Sequence, residues 1–151
     1  MVLRFPVEVE TVERLGEELL LLSVQALERF PRVSSGQFFH LAVDEFDGRS
    51  FWPESRAFSI FSSAPSGEFR FVISRSGNFV ERLWNEAFRG NRLWLKGPYG
   101  ELHLDIEDVP PNCDVVFVAA GSGISPFPGL LETLLANRAR RSAHVSLFYS
   151  A

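Results

Sequence analysis

The stretch Arg56-Ala57-Phe58-Ser59 governs how this chain is read. It lies in residues 56–61, a short apolar-rich segment with the pattern of a strand. A guanidinium, an aromatic ring and a hydroxyl within one short strand can together meet a phosphate, a flat ring and a ring heteroatom. Alone, Arg56 reads as a solvated strand-end cation. Phe58 reads as core, because the chain carries fifteen Phe against two Tyr. The segments on either side shift that balance.

Before and after this stretch the sequence reads as short strands. Phe5, Val7, Val9 and Thr11 alternate with Arg4, Glu8 and Glu10, the period-two pattern of a half-buried strand. Pro6 within it suits an edge or a strand start. Further strands are expected over residues 18–27, 37–43, 56–61, 69–74 and 92–96. Turn chemistry separates them at Leu15-Gly16-Glu17, Ser34-Ser35-Gly36, Asp47-Gly48 and Pro65-Ser66-Gly67. Six short strands so spaced predict a mostly β chain built on a small antiparallel barrel. One helix interrupts it, with Asn78 as the expected cap and Glu81 three residues on. Val80, Leu83, Trp84 and Ala87 share its apolar face, and Gly90-Asn91 ends it.

The pattern changes after the acidic, proline-bearing run Asp105-Ile106-Glu107-Asp108-Val109-Pro110-Pro111. Residues 114–119 are almost continuously apolar, as in a strand buried on both faces. Gly121-Ser122-Gly123 then makes a turn, and a helix is expected from Ser125 (N-cap) and Pro126 (first position). Its apolar face is Phe127, Leu130, Leu131, Leu134 and Leu135, with Arg138, Arg140 and Arg141 at its end. A second strand over residues 144–149 completes one strand–helix–strand unit. The expected division is therefore residues 1–110, a barrel, and residues 111–151, the opening of an α/β nucleotide-binding unit that this sequence leaves incomplete.

Composition excludes several classes. A net charge of −4 and no basic cluster argue against nucleic acid as a partner. The apolar runs are too short to span a bilayer. Cys113 is the only cysteine, so intrachain disulfides and cysteine-ligated clusters are out, and a reducing, cytoplasmic setting is expected. His40, His103 and His144 stand at no metal-ligand spacing, and no metal is expected.

Four segments occur in order: Arg56-Ala57-Phe58-Ser59, Ser76-Gly77-Asn78-Phe79-Val80, Gly97-Pro98-Tyr99-Gly100, and Ala119-Ala120-Gly121-Ser122-Gly123-Ile124-Ser125-Pro126. This succession resembles the ferredoxin–NADP reductase superfamily, near its ferric-reductase-like and oxygenase-reductase members. The resemblance implies a flavin-binding barrel followed by a nicotinamide-nucleotide domain. FAD is the implied cofactor, with FMN left open, and NADH or NADPH is the implied donor.

The resemblance also implies site roles. Arg56 would pair with a flavin phosphate, Phe58 would pack on the isoalloxazine or ribityl chain, and Ser59 would be the catalytic hydroxyl beside the hydride-accepting nitrogen. Ile73 and Ser74 would line the flavin by their backbone. Gly77, Asn78 and Phe79 would open the helix whose free N–H groups face the pyrophosphate. Val80 stands where the family has Ser or Thr, so one hydroxyl contact is lost there. Gly121, Ser122, Gly123, Ser125 and Pro126 would meet the nicotinamide nucleotide. Gly97-Pro98-Tyr99-Gly100 reads as a rigid turn, with Tyr99 toward the adenine side.

The implied reaction moves reducing equivalents from NAD(P)H through FAD to a separate electron-acceptor protein or domain. The family's later segments, including a Cys-Gly motif and a C-terminal aromatic, have no counterpart here. The alternative is therefore a flavin-binding fragment or subunit that needs a partner for its nicotinamide site.

Overall fold

The computed structural model describes residues 2–102, 113–136 and 144–150. The linker run 105–111, His103 and the arginines 138, 140 and 141 lie outside the described residues.

The first unit is a curled antiparallel sheet. Its strands are β1 (Leu3–Leu15), β2 (Leu19–Ala26), β3 (Phe38–Ala42), β4 (Ser55–Ser59), β5 (Ser62–Ser63), β6 (Glu68–Ser74) and β7 (Arg92–Tyr99). The spatial order is β4-β3-β7-β1-β2-β6-β5. The two outermost strands, β4 and β5, are consecutive in the chain and separated only by Ile60 and Phe61. At that point the Ile60 N–H donates to the Gln37 carbonyl at 2.9 Å, while the Phe61 N–H donates to the Arg70 carbonyl at 2.9 Å. One continuous segment thus changes partners and closes the sheet on itself. With β4 and β5 taken as one, these are the expected six strands.

Alternation places the core. Phe5, Val7 and Val9 of β1 are at most 1% exposed, as are Leu20, Leu22 and Val24 of β2 and Phe69, Phe71 and Ile73 of β6. Three rings meet at the centre: Phe39 lies 5.6 Å from Phe5 and 5.2 Å from Phe69, both edge to face. Pro6 sits inside β1, opposite Trp94 of β7 but one residue before the β1–β2 register begins at Val7. It therefore costs that ladder no N–H.

Helix α1 (Gly77–Glu86) packs its expected apolar face into this core, with Val80, Leu83, Trp84 and Ala87 all buried. Its start differs from expectation. The N-cap position is Ser76, in extended backbone, and Asn78 falls inside the first turn. Glu81 does not close a capping box; it pairs with Arg75 at 2.7 Å.

Gly97-Pro98-Tyr99 is not a turn. It is the end of β7, with Gly97 opposite Leu3 and Tyr99 opposite Phe38. A Cβ on Gly97 would stand 2.6 Å from the Phe39 ring, so the glycine lets the strand pass over that ring. Tyr99 stacks on Phe38 at 5.7 Å, in the β3–β7 aromatic surface.

The second unit has β8 (Val115–Ala120), a 3-10 turn (Gly121–Ile124), α2 (Phe127–Ala136) and β9 (Val145–Ser150). β8 and β9 pair in parallel, as the strand–helix–strand pattern predicts. Three details depart from expectation. β8 is covered on one face only, since Val116 and Val118 are 56% and 72% exposed. On α2, Leu130 and Leu134 are buried against Phe117, but Leu135 is 59% exposed. Ser125 is no N-cap: it has helical backbone, and its Oγ donates to the Ser122 carbonyl at 2.6 Å, closing the 3-10 turn.

The two units touch at the turn before β3. There a Cβ on Gly129 of α2 would lie 2.8 Å from Ser35 Oγ; within the first unit, one on Gly36 would lie 1.8 Å from the Leu102 carbonyl oxygen. The two glycines differ in consequence. The Ser35 hydroxyl can rotate away, its Cβ at 3.2 Å need give only slightly, and helical Ala gains about 1 kcal/mol over Gly. Gly36 has φ +91° and faces rigid backbone. Gly36→Ala should therefore cost at least about 2 kcal/mol and lower Tm by about 4 °C or more. A thermal melt checks this, and Gly129→Ala should shift Tm far less.

Candidate functional site

β4 runs along a cleft of about 480 Å³. Arg56, Ala57, Phe58 and Ser59 form one wall, and Val72, Ile73 and Ser74 of β6 continue it. The first turn of α1, from Ser76 through Val80, forms the second wall. Ser122, Gly123 and Ser125 of the second unit close the third side. Sequence segments separated by dozens of residues thus meet around one space. Gly121 and Pro126 do not line it: Gly121 makes the turn with φ +50°, and Pro126 is buried behind it.

The strand register explains the order of groups along β4. Arg56 lies opposite Leu41 and Phe58 opposite Phe39, so both share the core-facing side of the sheet. Ala57 and Ser59 take the other side, opposite His40 and Phe38. Arg56 and Phe58 both reach Phe79 of α1. The guanidinium lies 5.5 Å from the Phe79 ring centre, and the Phe58 ring is 6.3 Å away at 32°. Phe79 itself is 4% exposed, so its side chain is a floor beneath Arg56 and Phe58.

Arg56 is held loosely. It pairs with Glu54 at 2.9 Å and donates to the Ser55 carbonyl at 3.0 Å, and both side chains of the pair are more than half exposed. An exposed ion pair contributes about 0–1 kcal/mol, whereas a hydrogen bond to a charged group contributes about 1.5–3. A phosphate would therefore displace Glu54. The positive end of α1 faces the same space, and no acidic residue lies in its first turn to neutralise it. Polar donors converge from strand and helix, as an anionic ligand requires.

Gly123 has no left-handed backbone, and an added Cβ would meet nothing within 4 Å. The fold of the described residues does not itself demand a glycine there, and the missing side chain leaves backbone open to the cleft. Val80 lines the cleft yet is 6% exposed and packs in the barrel core. Ser76, Ala57 and Val72 line the cleft without having been expected from sequence. Ser76 was legible in principle, since Ser directly before a helix start is a preferred cap residue.

A second cleft, of about 490 Å³, is lined by Phe30, Pro31, Arg32, Val33, Phe69 and the 63–65 turn. It holds no helix terminus and none of the expected site residues. Among the described residues there is no group of three or more His, Cys, Asp or Glu placed to hold a metal ion, and no helix is long and apolar enough to cross a membrane.

Solved structures of known proteins share this fold. Over 98% of its length the chain superposes, with a TM-score of 0.78 and 24% identity, on a ferredoxin NADP+ reductase from Neisseria gonorrhoeae solved with bound FAD and NADP. The chain has the ferredoxin–NADP reductase fold. It covers 57% of that reductase. The ferredoxin reductase of carbazole 1,9a-dioxygenase is also similar: TM-score 0.80, 24% identity, 99% of this chain and 42% of that one. Among curated proteins, CDP-6-deoxy-L-threo-D-glycero-4-hexulose-3-dehydrase reductase of Yersinia pestis is 25% identical over 93% of this chain. Methane monooxygenase component C of Methylosinus trichosporium is 35% identical over 52% of the chain. The chain spans about 40% of the first of these relatives and 23% of the second. No protein-family model matches the chain.

Within this reductase fold, α1 is anchored by charge. Arg82 donates to Asp44 at 2.5 and 2.7 Å and to Glu86 at 3.0 Å, tying the helix to the loop that leads into β4. The Arg82 hydrogen bond holds the Asp44 carboxyl below its ordinary range. A carboxyl depressed in the folded state adds stability above its unfolded pKa, and that stability is lost as pH falls through the folded value. Asp44→Asn should therefore lower the urea midpoint at pH 7, and the gap to the wild type should close as acid protonates Asp44.

Proposed function

We propose that this chain is the flavin-binding barrel, about residues 1–110, and the opening of the nicotinamide-nucleotide unit, about residues 111–151, of a flavin-dependent oxidoreductase. The observation that carries the reading is the cleft where Arg56, Phe58 and Ser59 meet the start of α1 and the Gly123 backbone. The names of the related reductases, and the FAD and NADP bound in the gonococcal structure, support it. We place the protein in the cytoplasm, with a separate protein or domain as electron acceptor.

The residues fit FAD. Arg56 and the free N–H groups of Gly77, Asn78 and Phe79 would hold phosphate oxygens, where charge-assisted hydrogen bonds are strongest. Phe58 would cover a face of the ring system, and the backbone of Ile73 and Ser74 would border it. Ser59, on the opposite side of β4, would place its hydroxyl at the ring edge as a hydrogen-bond donor to the accepting nitrogen. Ser122, Gly123 and Ser125 would border the nicotinamide nucleotide, with Gly121 shaping their turn and Pro126 backing it. When bound, FAD would supply the redox chemistry that links a nicotinamide donor to an electron acceptor.

A second reading is favoured by the exposure of all six residues of β9 and of Val116 and Val118 on β8. In that reading the barrel binds flavin, but turnover requires further polypeptide over this sheet. The visible spectrum of the purified protein tests both: FAD bands should be present or emerge on adding FAD, and a colourless protein that takes up none overturns them. Anaerobic bleaching by NADH or NADPH then supports the first reading, and a yellow protein that neither bleaches supports the second. Arg56→Ala should weaken FAD binding about 10- to 100-fold. Unchanged FAD retention by that variant would refute the phosphate role of Arg56.

A further inference from the structure

We propose that the cleft between residues 30–33 and the 63–65 turn is a second ligand site, which takes a small aromatic carboxylate with its acid group on Arg32. The proposal goes beyond the flavin reading and does not depend on it. The cleft holds about 490 Å³, close to the 480 Å³ beside β4 and within the range of small-molecule sites. Its walls stand without a ligand. Gly67 has φ +91° and no side chain to keep Phe30 away; a Cβ there would lie 2.6 Å from that ring. Phe30 thus settles on the turn and meets Phe69 edge to face, with ring centres 5.9 Å apart. The facing turn is tied by backbone bonds. The Ala64 N–H donates to the Glu68 carbonyl at 2.9 Å, and the Gly67 N–H donates to the Ala64 carbonyl at 3.0 Å. The Ala26 N–H joins the turn to β2 through the Gly67 carbonyl at 2.9 Å. A slot already formed loses little freedom when it is filled.

The lining sets the chemistry of the occupant. Phe30, Phe69, Pro31 and Val33 supply apolar surface, and Arg32 is the single charged side chain. Arg32 is exposed and has no ion pair or hydrogen bond among the described residues. No carboxylate lines the cleft, and Glu68, three residues past the turn, is held by Arg70 at 2.6 Å. The Ser63 hydroxyl, on the turn side, is also exposed and without a partner among the described residues. An unpaired guanidinium matches the two oxygens of a carboxylate with two parallel N–H donors. A phosphate, with about twice the charge and three acceptor oxygens, calls for more donors than one arginine. Two phenyl rings in the lining suit a flat aromatic body.

Calorimetric titration of the purified protein with naphthalene-2-carboxylate tests the site, with naphthalene-2-carboxamide as the uncharged match. The carboxylate should saturate one site with Kd at or below about 1 mM, and the carboxamide should bind more weakly. Arg32→Gln should weaken the carboxylate about 10- to 100-fold and leave the carboxamide and the melting temperature unchanged. Arg56→Ala, which alters the other cleft, should bind the carboxylate as the wild type does.

Absence of saturable carboxylate binding overturns the proposal. So does wild-type affinity in Arg32→Gln, or an equal loss of both compounds in that variant. Loss of carboxylate binding in Arg56→Ala places the compound beside β4 and overturns it as well. None of these measurements reads FAD uptake, so each outcome leaves the flavin reading standing, and a wild type that takes up no FAD leaves this site standing.

Discussion

The change of partner at Ile60 and Phe61 is the constraint on which the barrel depends. Up to Ser59 the strand is bonded to β3, and from Ser62 it is bonded to β6. A sheet of this size with two free edges would expose backbone donors and acceptors along both. Passing one strand from one edge to the other pairs part of each edge and closes the core around Phe5, Phe39 and Phe69. It also sets β4 beside β6, which brings Arg56 to Ser59 into one wall with Ile73 and Ser74. The same closure thus makes the core and the cleft.

Helix α1 couples these two results. Its buried face, through Leu83 and Trp84, fills one part of the core cluster, and that burial fixes where its first turn points. Each buried side chain of that size contributes about 1.5–3 kcal/mol, more than any surface ion pair on the helix. The charged contacts set direction more than stability. Arg14 and Arg75 lie over the Trp84 ring at 5.5 and 4.7 Å, and Arg82 binds Asp44 at the start of the loop toward β4. Strand and helix are thereby held in one orientation around the cleft.

Much of this was legible because burial imposes a period. Phe5, Val7 and Val9 alternate with charged neighbours, and Leu83 and Trp84 repeat at helical spacing, so strands and helix follow from physics that acts locally. The misreadings share a cause: each turned on a partner distant in sequence or on packing that sequence spacing does not reveal. Gly97 reads as a turn glycine, but it is a strand residue whose missing Cβ makes room for Phe39. Asn78 is as good a cap by type as Ser76, yet the helix begins at Gly77, whose φ of +79° turns the chain into it. Ser125 reads as a cap, yet its hydroxyl is taken by the Ser122 carbonyl in a 3-10 turn.

The order of residues alone was enough for the strand alternation, the apolar face of α1 and the parallel strand–helix–strand unit. Those depend on neighbours within a few residues, whose spacing is written in the chain. It took the assembled fold to put Arg56 and Phe58 on one side of β4 with Phe79 beneath them. The meeting of the two units brought Gly123 to the same cleft, and core packing turned Val80 inward while leaving Ser76 outside. Those outcomes depend on which surfaces meet when the sheet closes, and burial settles that over the whole domain at once.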